Sequence, residues 1–127
     1  MLSCRLIACA EDALRDADNN QLSMIRLVEA ISASSWPLLI PRLCLCVLFD
    51  RSPEDPPRFT CIVHWSLGAV DLFRREIVLD FGSALRHRAL VHLRDLVLPG
   101  EGLLQVTVVH QRSELASFPI PVSSAVQ

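Results

Sequence analysis

Turn-forming residues interrupt this chain at short, regular intervals. Clusters of Asn, Asp, Ser, Pro or Gly lie at 18–20, 34–37, 51–57 and 99–102, and single glycines stand at Gly68 and Gly82. Short apolar segments between regularly spaced turns are typical of β-sandwiches and β-barrels. The length of 127 residues suits one domain. We therefore predict a single all-β domain over residues 1–127, an antiparallel sandwich of about seven to eight strands.

The hydrophobic pattern places the strands. Strands are predicted at 4–10, 21–32, 43–50, 58–66, 70–80, 88–96, 103–110 and 115–122. Apolar and polar residues alternate most clearly over 58–66, which indicates one buried and one exposed face. The segment 43–50 is apolar on both faces, so we expect a central strand that is covered on both sides. The last segment should be an edge strand, because Pro119 and Pro121 cannot donate to a ladder.

The secondary structure of two segments stays open, and a third segment is expected to be a loop. Residues 83–96 also suit an amphipathic helix with Ser83 as its N-cap, and their Leu, Ala and Arg content favours that conformation. Residues 10–17 form either a polar loop or one turn of helix. Residues 34–41 are expected to form a loop, because they contain two prolines and a run of serines.

The composition excludes several classes of protein. Apolar residues make up 51% of the chain, charged residues 20%, and the net charge is -2. These values argue against a disordered chain and against a strongly basic nucleic-acid binder. No apolar run approaches the length of a membrane span. All 12 basic residues are arginine, which excludes Schiff-base chemistry and a P-loop because both need a lysine.

The cysteines indicate a reducing compartment. The chain has five of them, Cys4, Cys9, Cys44, Cys46 and Cys61. An odd number without a regular framework argues against a secreted disulfide scaffold. Residues 1–11 lack the basic start and the long apolar run of a signal peptide. We therefore expect a cytoplasmic protein with reduced, buried thiols.

Neither a metal site nor a catalytic site emerges from the motifs. If 43–50 and 58–66 pair as a hairpin, Cys44, Cys46 and His64 come together, but zinc needs four ligands, or three and water. The chain has no paired C-x-x-C and no G-x-S-x-G nucleophile motif. We expect no enzyme activity and no cofactor or metal, with the two cysteines as buried core residues.

Arginines form the first candidate surface. Five of them lie on two neighbouring segments, at Arg74, Arg75, Arg86, Arg88 and Arg94. A hairpin about the turn at 81–83 would gather several on one face, and guanidinium groups favour phosphate and carboxylate partners. Acidic residues are interleaved with them, so the alternative is a solvated face that neutralises its own charge. A small anionic ligand is possible in the first case.

The loop at 34–41 forms the second candidate surface. The mean hydropathy of +0.38 is high for a small domain, and this loop carries four large apolar side chains, Trp36, Leu38, Leu39 and Ile40. Exposed apolar area of this kind marks a protein interface. The alternative is a lid that folds over one end of the sandwich.

Four motifs together resemble a family of small uncharacterised bacterial proteins with an immunoglobulin-like β-sandwich. They are the sequence Asn-Gln-Leu-Ser-Met-Ile at 20–25, the Trp-Pro pair at 36–37 followed by Pro-Arg-Leu at 41–43, the strand at 45–49, and Leu-Val-Leu-Pro-Gly-Glu-Gly at 96–102 before another strand. The resemblance covers nearly the whole chain. It implies an immunoglobulin-like fold with an extended segment before the Leu-Pro-x-x-Gly turn. It implies no catalytic residue.

We expect a non-enzymatic protein–protein interaction module that associates with itself or with another protein. The alternative is a small-ligand or nucleotide-binding sensor that uses the arginine-rich face. Neither a membrane nor a nucleic acid is expected as a partner.

Overall fold

The computed structural model describes residues 1–125 of the chain and consists there of strands, turns and loops. Nine strands follow in chain order: β1 (Ser3–Arg15), β2 (Leu22–Leu27), β3 (Ile31–Ala33), β4 (Leu38–Asp50), β5 (Arg58–Leu67), β6 (Val70–Asp80), β7 (Arg86–Leu98), β8 (Gly102–His110) and β9 (Ser113–Ser124). Within this range there is no helix of the length and apolar character needed to cross a membrane.

The strands form two sheets that pack face to face. Sheet I has the order β2-β1-β4-β7, and sheet II has the order β3-β9-β8-β5-β6. All neighbours are antiparallel except β3 and β9, which pair in parallel. The prediction of an all-β sandwich is thus confirmed. The β4–β7 pair and the β5-β8-β9 row correspond to the B–E pair and the C-F-G row of an immunoglobulin-like sandwich.

The core lies between the two sheets and is apolar except for the indole Nε1 of Trp65, which is buried without a hydrogen-bond partner within residues 1–125. Sheet I contributes Leu45, Val47 and Phe49 from β4, and the side chain of Trp65 on β5 is fully buried opposite them in sheet II. Immunoglobulin domains place a tryptophan on the corresponding strand, where it packs on a disulfide between the sheets. Here β8 has no cysteine, so the sheets are held together by apolar packing.

Two predicted elements at the N-terminal end were wrong. Residues 10–15, which were expected to form a loop or a turn of helix, belong to strand β1. In this part β1 pairs with β2. The predicted strand at 21–32 is two strands in different sheets. The break follows Leu27, where β2 ends, and Arg26 just before it has a positive φ of 59° and no register partner on β1. After it the chain crosses from sheet I to sheet II.

The segment at 34–41 is a loop only in its first half, because β4 begins at Leu38. The ladder between β4 and β7 continues past Pro41. Ile40 and Arg42 have register partners on β7, whereas Pro41 has none. A proline is tolerated in a strand at such a ladder irregularity. Opposite it, Asp95 has a positive φ of 56° and is likewise without a register partner.

Residues 86–98 are strand β7, which decides the helix-or-strand alternative in favour of the strand. Val91 and Leu93 are buried in the core, as the extended reading requires. The predicted edge strand at the C-terminal end is confirmed over most of its length. β9 pairs with β8 on one side, and on the other side only Val122–Ser124 pair, with the short β3.

Neither of the two hairpins considered from the sequence, about 51–57 and about 81–83, forms in the structure. β4 and β5 lie in opposite sheets, so the loop at 51–57 crosses the sandwich and does not form a hairpin turn. The same holds for β6 and β7, which the turn at 81–85 connects across the open side of the sandwich. Local turn signals are the same for a hairpin and for a crossing between sheets, so the sequence did not separate them.

The packing of Trp65 gives a direct test of this core. Trp65→Ala should lower the free energy of unfolding by about 3–5 kcal/mol, because the cavity it leaves is closed on all sides. Val78, which is 61% exposed on β6, provides the control, and Val78→Ala should change stability by less than about 0.5 kcal/mol. Urea unfolding of both variants checks this. A cost below about 1 kcal/mol for Trp65→Ala would contradict the assigned core.

Candidate functional site

The hairpin of β1 and β2 lies over the outer face of sheet I. β1 pairs with β4 only as far as Ala10, and its second half pairs with β2 alone. The turn of this hairpin reaches across β4, because Arg88 on β7 donates from Nη2 to the carbonyl oxygen of Asn20 at 3.2 Å. We call this two-stranded segment, residues 11–27, the ribbon.

The ribbon explains why two cysteines on the outer face are buried. Cys44 and Cys46 alternate with the inward side chains of β4, and both are buried although they do not belong to the core between the sheets. On β1 their register partners are Ala10 and Ala8. The prediction that these thiols are buried on a central strand is confirmed. They lie on the outer face of sheet I, however, and not in the core between the sheets.

Burial keeps the thiols protonated. It raises the pKa of Cys9 to about 12, and those of Cys44 and Cys61 to about 11. The neighbouring Cys44 raises the pKa of Cys9 further. For Cys46 burial again raises the pKa and outweighs the opposite effect of the nearby Arg88. Neutral buried thiols are poor nucleophiles and poor metal ligands.

The residues weighed as zinc ligands do not come together. Cys44 and Cys46 lie on β4 in sheet I, whereas His64 lies on β5 in sheet II. His64 instead contacts Asp71, with 2.8 Å between Nε2 and Oδ1. In residues 1–125 no three His, Cys, Asp or Glu side chains are placed to hold one metal ion.

The five candidate arginines are divided between the two sheets. Arg74 and Arg75 belong to β6 at the edge of sheet II, and Arg86, Arg88 and Arg94 belong to β7 at the edge of sheet I. The expected common face does not form, because β6 and β7 are not a hairpin. Arg75 links the two edges instead, since its Nη1 donates to the carbonyl oxygen of His92 at 3.0 Å.

A different group of arginines converges beside the ribbon. Arg86 and Arg88 project from the outer face of β7, and Arg15 joins them from the end of β1, around a depression of about 380 Å³ that also includes Leu48. Asp50 engages Arg86 through two hydrogen bonds of 2.8 and 3.2 Å. Neither Arg15 nor Arg88 forms an ion pair within the described part of the chain. Sequence reasoning missed Arg15, since its approach depends on the fold of the ribbon.

The four apolar residues of the second candidate surface separate. Trp36, Leu38 and Ile40 pack against the core, and the indole Nε1 of Trp36 donates to Oγ of Ser124 at 3.2 Å. Leu39 alone remains exposed, at 56%. This arrangement favours the lid over the interface for three of the four side chains.

A further depression, of about 620 Å³, lies at the end of the sandwich beside the loop at 51–57. Two of its polar side chains are engaged within the protein. His110 contacts the carbonyl oxygen of Thr60 through Nδ1 at 3.1 Å, and Arg58 pairs with Asp80 at 3.3 Å. No arrangement of a nucleophile and a base follows from these contacts.

No family model matches this chain, and no curated protein is significantly similar to it. The functional assignment therefore depends on the geometry of its own surfaces.

Thiol labelling tests the burial of the cysteines. In the native protein at neutral pH only Cys4, which is partly exposed, should react with a thiol reagent, and slowly, because burial raises its pKa as well. Cys9, Cys44, Cys46 and Cys61 should react only after unfolding, because they are buried from the reagent and their raised pKa values keep them protonated. Mass spectrometry of the labelled peptides identifies the sites. Rapid labelling of Cys44 or Cys46 without unfolding would contradict the covered outer face.

The lid arrangement is tested at Trp36. Trp36→Ser should lower the free energy of unfolding by about 1–3 kcal/mol, since it removes a half-buried aromatic ring and its hydrogen bond. The assembly state should not change. Chemical denaturation and solution mass measure the two effects separately. A variant with full stability and altered assembly would show that Trp36 belongs to an interface.

Proposed function

We propose that this protein is a non-enzymatic protein–protein interaction module that associates with itself through the free edge of β2. The observation that supports this most strongly is the chemistry of that edge. A free sheet edge presents unpaired N–H and C=O groups and is a template for pairing with another chain, unless charge, proline or a bulge prevents it.

Three of the four free edges in residues 1–125 are protected. β6 carries charged residues along its length, among them Arg74, Arg75 and Glu76. β7 carries Arg86, Arg88 and Arg94, and Arg75 covers part of its backbone. β3 is three residues long, and its neighbour β9 contains two prolines. These are devices that block pairing between sheets.

β2 carries such devices only near its end, where Arg26 adds a charge and a positive φ of 59°, and it has none over residues 22–25. This stretch reads Leu-Ser-Met-Ile, without charge, proline or glycine. No strand pairs with its far side in the described part of the chain. Antiparallel pairing of two copies along it would join two ribbons into one four-stranded sheet, and each added backbone hydrogen bond would satisfy groups that now face water.

Apolar side chains beside this edge enlarge the contact. Leu14 on β1 and Ile25 on β2 are 56% and 38% exposed, and Leu27 follows at 56%. Ile25 points away from the groove beneath the ribbon, whose wall is formed by Leu22 and Met24. Pairing of two ribbons would bury these exposed groups and add hydrophobic stabilisation.

The cellular setting is part of the proposal. Five free thiols suit a reducing cytoplasm. The motifs at 20–25 and 96–102 support a relationship with the small bacterial proteins of unknown function that they resemble, for which the immunoglobulin-like order of strands is a further argument.

A charge on the edge of β2 tests the proposal. Ile25→Lys should abolish self-association, because it places a charge on the pairing edge and removes an apolar side chain that the contact would bury. Stability of the single chain should change by less than about 0.5 kcal/mol, because the residue is partly exposed. Sedimentation equilibrium over a wide range of protein concentration measures the assembly.

The matched control is Val78→Lys, which adds the same charge to an exposed apolar position on the protected edge of β6. This variant should assemble as the unmodified protein does. A protein that is monomeric at every concentration, or an Ile25→Lys variant that still assembles, would contradict the proposal.

A further inference from the structure

We propose that the groove between the ribbon and the outer face of sheet I binds a single-chain anionic lipid, a medium-chain fatty acid. The site has an apolar part beneath the ribbon and a cationic end beside β7. This inference does not depend on self-association, because the groove opens on the side of the ribbon opposite to Ile25.

The apolar part lies over β1 and β4. It has a volume of about 560 Å³ and is lined by Leu6, Leu22, Met24 and Leu48, with Cys46 at its floor. Leu6 and Leu48 are register partners on adjacent strands. Leu22 and Met24 face them from β2. Volumes of this size with mostly apolar walls and a few polar groups are typical of sites for small molecules.

The cationic end continues directly from the apolar part. Leu48, Asn20 and Arg88 line both depressions, so the two form one continuous surface. Arg88 uses one nitrogen for the Asn20 carbonyl and keeps its other donors free. Arg15 has no ion-pair partner within residues 1–125. Two guanidinium groups that are free of counter-ions can bind one carboxylate through several charge-assisted hydrogen bonds.

The distances between the strands set the size of the ligand. Leu6, Leu48 and Arg88 form one row across β1, β4 and β7. Adjacent strands are about 4.8 Å apart, so the row is about 10 Å long, which is the span of a medium-chain alkyl group. A head group at Arg88 therefore places its chain over Leu48 and Leu6. A free phosphate would leave the apolar part empty, and a neutral lipid would leave the arginines without a partner.

Calorimetric titration with decanoate, below the concentration at which it forms micelles, tests the site. The unmodified protein should bind decanoate, and both acetate and decanol should bind at least about tenfold more weakly, because each lacks one of the two parts. Arg15→Gln should weaken decanoate binding by about tenfold without loss of stability, since Arg15 has no partner to lose. Arg74→Gln, on the other sheet, is the matched control and should bind as the unmodified protein does.

The outcomes separate this site from the proposed self-association. Ile25→Lys should still bind decanoate, and Arg15→Gln should still assemble. Equal affinity for decanoate and decanol would overturn the role of the arginines. Equal affinity of the unmodified protein and Arg15→Gln, or no binding of decanoate at all, would overturn the site.

Discussion

Over residues 43–47, strand β4 is removed from water on both of its faces, and each face is covered by a different part of the chain. Leu45, Val47 and Phe49 enter the core between the sheets. Cys44 and Cys46 face outward and are covered on the side of the ribbon. The second burial has a structural consequence, because the chain must fold a hairpin back over its own sheet. That hairpin creates both the free edge of β2 and the groove beneath it.

The sequence predicted the sandwich because its strongest signals are local. Alternation in β5 and the apolar run in β4 indicated which side chains are buried, and the prolines of β9 indicated an edge. What failed was information about which strands are neighbours. The loop at 51–57 and the turn at 81–85 look like hairpin turns, yet each crosses between sheets. The predicted arginine face required a hairpin about the turn at 81–83, and this hairpin does not form.

The candidate surfaces in the structure differ from the predicted ones for the same reason. Arg15 and Arg88 are far apart in the sequence and approach each other only because the ribbon lies over β4 and reaches β7. The exposed edge at 22–25 has a signal in the sequence, since β2 has a single charged residue, Arg26, whereas the strands at the other long edges have several. An uncharged strand indicates an open edge only once the order of the strands is known.

Hydrogen exchange at the backbone amides of 22–25 tests most directly that the edge of β2 pairs with a second copy. In a dilute sample those amides of this stretch that point away from β1 should exchange quickly, as expected for an unpaired edge. With increasing protein concentration they should become protected, while the outward amides of β6 stay unprotected. Protection that does not depend on concentration, or that develops at β6 and not at β2, would contradict the account.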